Sequence, residues 1–410
     1  MILFLRGSDR GLKQMGVTIN QAVIIAGGLG TRLKPFTETN PKPMYPFEGR
    51  PFIEHLVRQI GSFGISDILI LLGYLPEKIM EYLGDGSNYG VHIEYDITPV
   101  EYETGQRIRA ALPKLQSRFL FMYCDNYCPI NYEKLLHEYE EHQSWIHLTV
   151  YANRDGYTKD NLRIAEDGRL LLYDKKRLSD NLQGVDIGYA IIDKQAVELL
   201  PEEPLNFEAY IYPKLIEQQK IYATVCEHRY YSVGSWERIN LTKDFFKGKK
   251  AVFLDRDGTL NVRPQKACYV EKPEDFHWLN GAKEAIKKLN ENDYFVILIS
   301  NQPGIARGNL TDDMLSLIHK KMEDDLQKMG AKLDAIYYCP HNWDDGCFCR
   351  KPNPGMLFQA QRDFSLDLRN CVLVGDDERD IEAATRANVK GILVDEQYTI
   401  LDAVNDIIGG

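Results

Sequence analysis

Hydrophobic and polar positions along this chain follow the same rhythm in two long stretches. Short, fully apolar runs, such as AVIIA at 22–26 and AVFL at 251–254, are each followed by a polar loop that contains glycine. Such runs indicate strands that are buried on both faces, and the segments between them repeat apolar residues at helical spacing. The pattern therefore predicts an α/β protein of two domains, each a mostly parallel sheet flanked by helices.

The individual elements follow from the same pattern. In the first half we predict strands at 22–26, 68–72 and 119–123, with helices at 51–63 and 132–142. In the second half we predict strands at 251–254, 295–299 and 371–374, with helices at 281–290 and 312–329. The polar, lysine-rich stretch TKDFFKGKK at 242–250 reads as a junction. We predict a poorly ordered leader at 1–18, a first domain at 19–246 and a second domain at 247–410.

Composition narrows the class of protein. A chain of 410 residues exceeds what one hydrophobic core usually spans. A net charge of −11 without a basic cluster argues against a nucleic-acid partner, and no run of 18 apolar residues marks a membrane span. Eight cysteines are too few for a disulfide scaffold. With no signal-peptide pattern at the start, we expect a cytoplasmic protein whose clustered cysteines bind a metal.

The sequence DRDGT places two carboxylates directly after the strand at 251–254. Ligands bind beyond the carboxyl ends of strands in open α/β sheets, so Asp255 would point into the crevice and can attack phosphorus as a nucleophile. Asp257 can protonate the leaving oxygen and later activate water, and Gly258 allows the sharp turn that brings both groups together. Taken alone, the motif is also compatible with a solvated turn.

Three later residues favour phosphoryl chemistry. Ser300 ends a predicted strand and can donate a hydrogen bond to a phosphate oxygen. Lys351 can neutralise the phosphoryl group, and Asp376 at the end of another strand can bind Mg²⁺. A phosphoryl transition state needs in-line positioning and charge neutralisation, which this set can supply.

A separate cluster, Cys339, His341, Cys347 and Cys349, has the spacing C-x-H-x5-C-x-C. One histidine and three thiolates match a closed tetrahedral zinc site, which leaves no position for water and is therefore structural. The zinc would fix the loop that ends at Lys351. The alternative is a loop of reduced cysteines.

With these motifs in order, residues 250–407 resemble the haloacid dehalogenase superfamily. The resemblance implies that Asp255 is the nucleophile, Asp257 the acid/base, and Ser300 and Lys351 the phosphate-binding residues. It assigns Mg²⁺ to Asp255, the Asp257 backbone carbonyl and Asp376, with Asp377 as a further candidate.

Within that superfamily the zinc loop and NQPGIARG at 301–308 resemble the D-glycero-D-manno-heptose 1,7-bisphosphate 7-phosphatases. This resemblance implies a sugar phosphate as substrate and a set of binding residues, namely Arg263, Lys266, Asn301, Gln302, Arg307 and Arg350. Histidinol-phosphate phosphatases stay open as an alternative, because the zinc loop is short and Asp377 stands where heptose enzymes often have lysine.

In the first half, GGLGTR at 27–32 follows a predicted strand. Its glycines allow backbone N–H groups to approach phosphates, Arg32 can clamp them, and Lys42 follows in PKPM. The spacing matches neither a dinucleotide fingerprint nor a Walker loop. A glycine turn of this kind is often merely structural.

The combination GGLGTRLKPFT…PKPM resembles the sugar-1-phosphate nucleotidyltransferases, a Rossmann-like fold, over residues 20–244. The closest type is the guanylyltransferases that act on heptose 1-phosphate, which implies GTP as the nucleotide and leaves a homo-oligomer open. By this resemblance, Asp125 binds Mg²⁺. The triphosphate would lie on Gly27, Gly28, Gly30, Thr31, Arg32 and Lys42. The sugar phosphate would contact Lys175, Asp186 and Gly188.

Three departures from that family stand out. Ser232 replaces the usual second metal-binding aspartate, Cys124 replaces the glycine before Asp125, and the sugar and base loop reads YETGQR at 102–107. A serine cannot supply the charge that holds Mg²⁺ against a triphosphate, although Asp186 or Glu103 could compensate. Two hypotheses therefore stand: a bifunctional enzyme that makes GDP-heptose, or a phosphatase fused to a non-catalytic binding module.

Overall fold

The structure is a computed structural model that describes residues 18–265 and 268–409. Most of the predicted leader at 1–18, and Lys266 of the predicted substrate-binding set, lie outside the described residues. The chain divides into two compact units between Ser235 and Trp236. The predicted domain boundary, between residues 246 and 247, falls at the far end of the helix that begins the C-terminal unit.

The N-terminal unit is built around one large sheet. Its strands are β1 Gln21–Ala26, β2 Pro46–Phe47, β3 Arg50–Pro51, β4 Asp67–Leu72, β5 His92–Ile97, β6 Arg118–Tyr123, β7 Asn126–Tyr127, β8 Ile146–Tyr151, β9 Leu162–Ile164, β10 Leu170–Tyr173, β11 Val185–Asp193, β12 Ile221–Cys226 and β13 Tyr231–Ser232. Its α-helices are α1 Phe52–Ser62, α2 Pro76–Leu83, α3 Thr104–Ala110, α4 Tyr132–His142, α5 Lys194–Glu198 and α6 Phe207–Glu217.

The large sheet has seven strands in the order β12-β8-β11-β6-β1-β4-β5. Only β11 runs antiparallel to its neighbours, β6 and β8, while the other neighbouring strands in this sheet are parallel. Every residue of β1 is buried, and Val23 and Ile25 share a core with residues of α3, α5 and α6. The prediction of a mostly parallel sheet is confirmed. Strand β1 is an interior strand of this sheet, and the glycine loop at 27–32 follows it directly.

The C-terminal unit alternates helices and strands. Its elements are α7 Trp236–Phe246, β14 Ala251–Leu254, α8 Ala282–Glu291, β15 Phe295–Asn301, α9 Asp312–Gln327, β16 Ala335–Cys339, α10 Gly355–Phe364, β17 Val372–Gly375, α11 Glu378–Arg386, β18 Lys390–Leu393 and α12 Ile400–Gly409.

Its five-stranded sheet has the order β16-β15-β14-β17-β18, and each neighbouring pair is parallel. Side chains of β14 alternate between two cores. Val252 and Leu254 pack with α8, α9 and α12, whereas Ala251 and Phe253 pack with α10 and α11. Helices therefore cover both faces of the sheet. Asp255 directly follows the central strand β14, at the carboxyl ends of the parallel strands.

The elements predicted from the hydrophobic pattern are confirmed. Helix α4 and strand β14 have the predicted bounds, and the other predicted elements differ by a few residues at their ends. Among the described residues, no helix combines the length and the apolar character needed to cross a bilayer.

Candidate active sites

Asp255 lies where the carboxyl ends of β14, β15 and β17 meet. Its backbone N–H donates to the Val374 carbonyl at 3.0 Å, which continues the pairing of β14 with β17 beyond the strand. Lys351 Nζ lies 2.5 Å from Asp255 Oδ1, 2.6 Å from Asp380 Oδ1 and 3.0 Å from the Ile299 carbonyl oxygen. The buried ammonium therefore has one acceptor for each of its N–H groups.

Three carboxylates surround one point beside this lysine. One oxygen from each of Asp255, Asp376 and Asp380 lies within 4.8 Å of the others. Asp376 Oδ1 is buried without a hydrogen-bond partner, while Asp376 Oδ2 pairs with Arg263 Nε at 2.9 Å. A hard divalent cation such as Mg²⁺ fits this set, since it prefers carboxylate oxygens and would satisfy the unpartnered oxygen.

Sequence reasoning missed Asp380. The available signal was a third aspartate, four positions after Asp376, where the first turn of α11 carries it back toward β17. Asp377, the further candidate for Mg²⁺, lies outside the cluster. Its carboxylate caps α11, accepts from Arg379 Nε at 2.8 Å and pairs with Arg263 at 3.1 Å.

The charges of the cluster do not balance by themselves. Burial raises the pKa of Asp255, Asp380 adds to the rise and Lys351 opposes it. For Lys351, burial favours the neutral amine, but the charges of Asp255 and Asp380 outweigh it and raise the pKa, so the ammonium stays charged. The Lys351 ammonium and the Arg263 guanidinium face three carboxylates, two of them buried, which leaves an excess of negative charge that a divalent cation would offset.

Gly258 is the residue that lets Asp376 approach this cluster. Its φ is +102°, which side chains rarely adopt. A Cβ atom at this position would lie 1.8 Å from Asp376 Oδ2. The glycine of DRDGT is therefore required both by its backbone conformation and by the carboxylate beside it.

Asp257 is held by donors on both of its oxygens. Arg256 Nε and Asn261 Nδ2 donate to Oδ1 at 3.1 and 3.0 Å. Arg256 Nη2 and Gln302 Nε2 donate to Oδ2 at 2.9 and 3.1 Å. Burial by itself would raise the pKa of Asp257, but the Arg256 charge and these hydrogen bonds outweigh it and lower the pKa.

A cavity of about 480 Å³ opens beside these groups. Of the predicted residues it is lined by Asp255, Asp257, Arg263, Ser300, Asn301, Arg350, Lys351 and Asp377. Residues that the sequence reasoning missed also line it, namely Tyr269, Arg379 and Asp380. The wall carries three guanidinium groups and one ammonium beside four carboxylates, so an anionic substrate finds cationic partners there once a divalent cation offsets the carboxylates.

Three residues predicted to bind substrate have other partners in this structure. Gln302 is buried, does not line the cavity and bonds to Asp257 and Ser300. Arg307 donates to Asn342 and Tyr269 and so joins neighbouring loops. Asn301 lines the cavity, but its amide exchanges two hydrogen bonds of 3.0 Å with the backbone of Lys351.

The four predicted zinc ligands converge. Cys339, Cys347 and Cys349 place their Sγ atoms 3.3–3.6 Å apart, and His341 Nδ1 lies 3.3 Å from Cys349 Sγ and 3.5 Å from Cys339 Sγ. A tetrahedral zinc with bonds of about 2.3 Å has ligand–ligand distances of about 3.8 Å. The arrangement is close to this size, and its loop leads directly to Lys351.

In the N-terminal unit, Lys42, predicted to bind the triphosphate, and Asp125, predicted to bind Mg²⁺, form an ion pair. Lys42 Nζ lies 2.6 Å from Asp125 Oδ2. Burial opposes both charges, but each partner favours the charged form of the other, so the pKa of Asp125 is lowered and that of Lys42 is raised. The described part of this unit contains no cluster of three possible metal ligands around Asp125.

Ser232 lies where the missing aspartate would be expected. It is 4% exposed, in β13, and pairs with Asn126 in β7, directly after Asp125. The two residues that could compensate have other roles. Glu103 caps α3, and Asp186 accepts from the Gly188 N–H at 2.8 Å and from the Tyr212 hydroxyl at 3.3 Å.

Arg107, which sequence reasoning missed, packs against the glycine loop. Its guanidinium donates to the backbone carbonyl oxygens of Leu72, at the end of β4, at 2.5 Å and of Pro99, beyond β5, at 3.0 Å. A Cβ atom at Gly27 would lie 2.3 Å from Arg107 Cζ. At this position, the glycine is therefore required by the arginine, whereas Gly28 has open space around it and stays available to a ligand.

The remaining predicted residues of this unit lie in three places along the chain. Thr31 and Arg32 are exposed in a short 3₁₀ turn after Gly30, and Lys175 is exposed after β10. Asp186 and Gly188 lie on β11 in a partly buried group with Tyr123 and Glu208, and the Tyr123 hydroxyl donates to Glu208. Burial raises the pKa of Asp186 to about 6 and that of Glu208 to about 7.

Family models match both units. A nucleotidyl transferase model matches residues 21–160, and a polynucleotide kinase 3 phosphatase model matches residues 250–396. A D-glycero-beta-D-manno-heptose-1,7-bisphosphate 7-phosphatase from Photorhabdus laumondii is 41% identical over 150 residues, or 35% of this chain and 78% of that enzyme. The alpha-heptose enzyme of the same organism is 38% identical over 148 residues, or 34% and 79%.

A solved structure from Bacillus anthracis, named as a candidate glucose-1-phosphate thymidylyltransferase, covers 55% of this chain and 94% of its own, with 18% identity and a TM-score of 0.50. At that identity the likeness concerns the fold alone.

Proposed function

The chain belongs, through its C-terminal unit, to the family of heptose-1,7-bisphosphate 7-phosphatases, and we propose that this unit removes the 7-phosphate of D-glycero-D-manno-heptose 1,7-bisphosphate. The observation that carries the proposal is Asp255 at the end of β14, 2.5 Å from Lys351 and clustered with Asp376 and Asp380. Because the relatives include enzymes for both the alpha and the beta sugar, the anomer stays open.

The residues divide the reaction into two steps. Asp255 attacks phosphorus in line, while Lys351 and the Ser300 hydroxyl hold the phosphoryl oxygens. Because the pKa of Asp257 is lowered in the free protein, Asp257 must take up a proton as the anionic substrate binds, and it then gives that proton to the leaving sugar oxygen. The Asp257 carboxylate then accepts a proton from the water that hydrolyses the aspartyl phosphate. Magnesium, when held by Asp255, Asp376, Asp380 and the Asp257 carbonyl, would neutralise charge on the phosphoryl group.

Phosphate release from the bisphosphate tests this assignment. Asp255→Asn should abolish turnover and leave the melting temperature close to that of the wild type. Asp367→Asn is a matched control, since both aspartates are 8% exposed and Asp367 lies outside the cavity. Turnover by Asp255→Asn at more than about 1% of the wild-type rate would contradict the nucleophile, because loss of a nucleophile typically costs several orders of magnitude.

We propose a structural zinc ion for the four-ligand cluster, with Cys339, His341, Cys347 and Cys349 as a closed set. The support is their mutual distance and the loop's continuation into Lys351, whose backbone is held by Asn301. Elemental analysis should find one zinc per chain.

No disulfide joins the described cysteines, which supports our placing the protein in the reducing cytoplasm.

For the N-terminal unit we propose nucleotidyl transfer from GTP to heptose 1-phosphate, with release of pyrophosphate. The match to the nucleotidyl transferase model and the pairing of Lys42 with Asp125 support it. The two reactions are consecutive, because the phosphatase leaves the 1-phosphate that the transfer requires.

One observation favours the second candidate, a binding module without turnover: Ser232 lies beside Asp125 in place of a carboxylate. Pyrophosphate release from heptose 1-phosphate and GTP with Mg²⁺ decides between the two. Release that is lost in Lys42→Gln supports the transferase. Binding of heptose phosphate without release from any of the four common nucleoside triphosphates supports the module.

A further inference from the structure

The most completely buried charged group of the C-terminal unit that the mechanism leaves unused is Arg256, between the two aspartates of DRDGT. Its side chain has no exposed surface and is the largest of the fully buried side chains. Two of its nitrogens, Nε and Nη2, lie 3.1 and 2.9 Å from the two oxygens of Asp257. Asp257 itself lines the catalytic cavity, so the clamp leaves the carboxylate within reach of a substrate.

Gln302 extends this clamp to the phosphate-binding serine. Its Oε1 accepts from Arg256 Nη2 at 3.0 Å, and its Nε2 donates to Asp257 Oδ2 at 3.1 Å and to Ser300 Oγ at 2.7 Å. Since the serine oxygen accepts this bond, its O–H is left to donate toward the cavity that Ser300 lines. The glutamine thus fixes the direction of two groups that must act on the same phosphoryl ester.

Stability alone gives a poor reason for this arrangement. A buried ion pair contributes little net stability compared with apolar residues of the same volume, because both charges lose their hydration. Arg256 Nη1 is also buried without a hydrogen-bond partner, which makes the guanidinium still more costly to bury. An apolar residue at this position would fill the same space, so the guanidinium is kept for what it does to Asp257.

We propose that Arg256 and Gln302 are positioning residues for the phosphatase reaction. Resting on the proposed function, this inference says that the pair aims Asp257 at the bridging oxygen of the ester and Ser300 at the phosphoryl oxygens. It concerns the step in which Asp257, protonated as the anionic substrate binds, gives this proton to the leaving oxygen while the P–O bond breaks and the Asp255–phosphorus bond forms. The contribution of Arg256 to this step is the direction of the Asp257 side chain, since its charge by itself favours the carboxylate.

The test compares two leaving groups. A sugar alkoxide needs a proton to leave, whereas the 4-nitrophenolate of 4-nitrophenyl phosphate does not. We expect Arg256→Met to lower kcat/KM for heptose bisphosphate by about 100-fold or more, the size of general acid catalysis, and for 4-nitrophenyl phosphate by less than about threefold. Arg256→Lys should recover part of the loss. Gln302→Leu also releases Ser300, so it should lower kcat/KM for both substrates, but more for heptose bisphosphate than for 4-nitrophenyl phosphate.

Val404→Ala is the control for destabilisation, since Val404 is fully buried in the core formed by α8, α9 and α12, outside the catalytic cavity. It should lower the melting temperature and leave both kcat/KM values unchanged. Equal losses on both substrates in Arg256→Met and Gln302→Leu, or no loss on the sugar phosphate, would overturn the proposal. If Arg256→Met does not fold, the same comparison on Gln302→Leu decides.

Failure of the proposed function gives a different result. In that case the wild-type protein does not hydrolyse heptose bisphosphate, while Asp255 still supports turnover of 4-nitrophenyl phosphate. The comparison is then made between 4-nitrophenyl phosphate and whichever alkyl phosphate the wild type hydrolyses fastest, and the expected selectivity is the same.

Discussion

Replacing Asp380 with asparagine separates the metal-binding role of the carboxylate cluster from its packing. Asp380 is 2% exposed, lies 2.6 Å from Lys351 Nζ, and has an oxygen within 4.8 Å of oxygens of Asp255 and Asp376. Asparagine keeps the shape and one carbonyl oxygen but removes a unit of negative charge. Lys351 would retain Asp255 and the Ile299 carbonyl as acceptors, so we expect only a modest change in melting temperature.

The effect on Mg²⁺ affinity can be sized from Coulomb's law. A divalent cation about 4 Å from one carboxylate gains about 2 kcal/mol at a dielectric constant of about 80 and about 8 kcal/mol at about 20. Because the amide oxygen can still coordinate, the lower value is the better guide. The dissociation constant of Mg²⁺ should therefore rise about 30-fold, since 1.4 kcal/mol corresponds to tenfold.

Calorimetric titration of Mg²⁺ measures this directly, with phosphate release at saturating Mg²⁺ as the second readout. Asp377→Asn is the matched control, because Asp377 is the neighbouring carboxylate that lies outside the cluster and asparagine also caps helices well. Its Mg²⁺ affinity should stay within about threefold of the wild type, which corresponds to less than 1 kcal/mol. Unchanged affinity in Asp380→Asn, or a larger loss in Asp377→Asn, would refute the assignment of Asp380.

Three further outcomes follow from the same geometry. Cys347→Ser should reduce both the zinc content and the phosphatase activity. Cys371→Ser should change neither, because Cys371 is a buried cysteine outside the cluster. Full phosphatase activity in a protein without zinc would contradict the role of the loop. Gly258→Ala should abolish Mg²⁺ binding by calorimetry, because its Cβ atom would collide with Asp376, and wild-type affinity would contradict this. Burial raises the pKa of Glu208 from 4.5 to about 7, so its stabilising contribution is full below pH 4.5 and is lost as the pH rises toward 7. Glu208→Gln should flatten the dependence of unfolding free energy on pH in this window by up to about 3 kcal/mol in urea titrations, and an unchanged slope would count against a raised pKa.

The parts of the fold that sequence predicted are those that short segments determine. Apolar runs such as AVFL at 251–254 have no polar face, so only a strand covered on both sides satisfies them, and the structure confirms this for β14. The antiparallel direction of β11 was not predictable in this way. Direction depends on which strands become neighbours, and a buried strand has the same composition in either direction.

The same distinction applies to the sites. Asp255 and Asp376 could be found because each directly follows a recognisable strand. Asp380 was missed although it lies only four positions after Asp376, because its role depends on its contact with Lys351. Arg107 could not be found from the sequence, since its role depends on its contact with Gly27, 80 positions earlier. The role of Gln302 also needed coordinates: its position in the sequence suggested substrate, while its actual partners include Asp257.

The two candidate magnesium sites differ in how much negative charge the protein itself offers to a magnesium ion. In the C-terminal unit, three carboxylates, of which those of Asp255 and Asp380 are buried, face one buried ammonium and the half-exposed Arg263. We therefore expect a divalent cation to bind there even before substrate arrives. In the N-terminal unit, one carboxylate, Asp125, is already matched by Lys42 at 2.6 Å. There, the negative charge that Ser232 lacks would have to come from the nucleoside triphosphate itself. Magnesium should therefore bind the isolated protein with a stoichiometry of one, at the phosphatase site, and a second ion should appear only when a triphosphate is added.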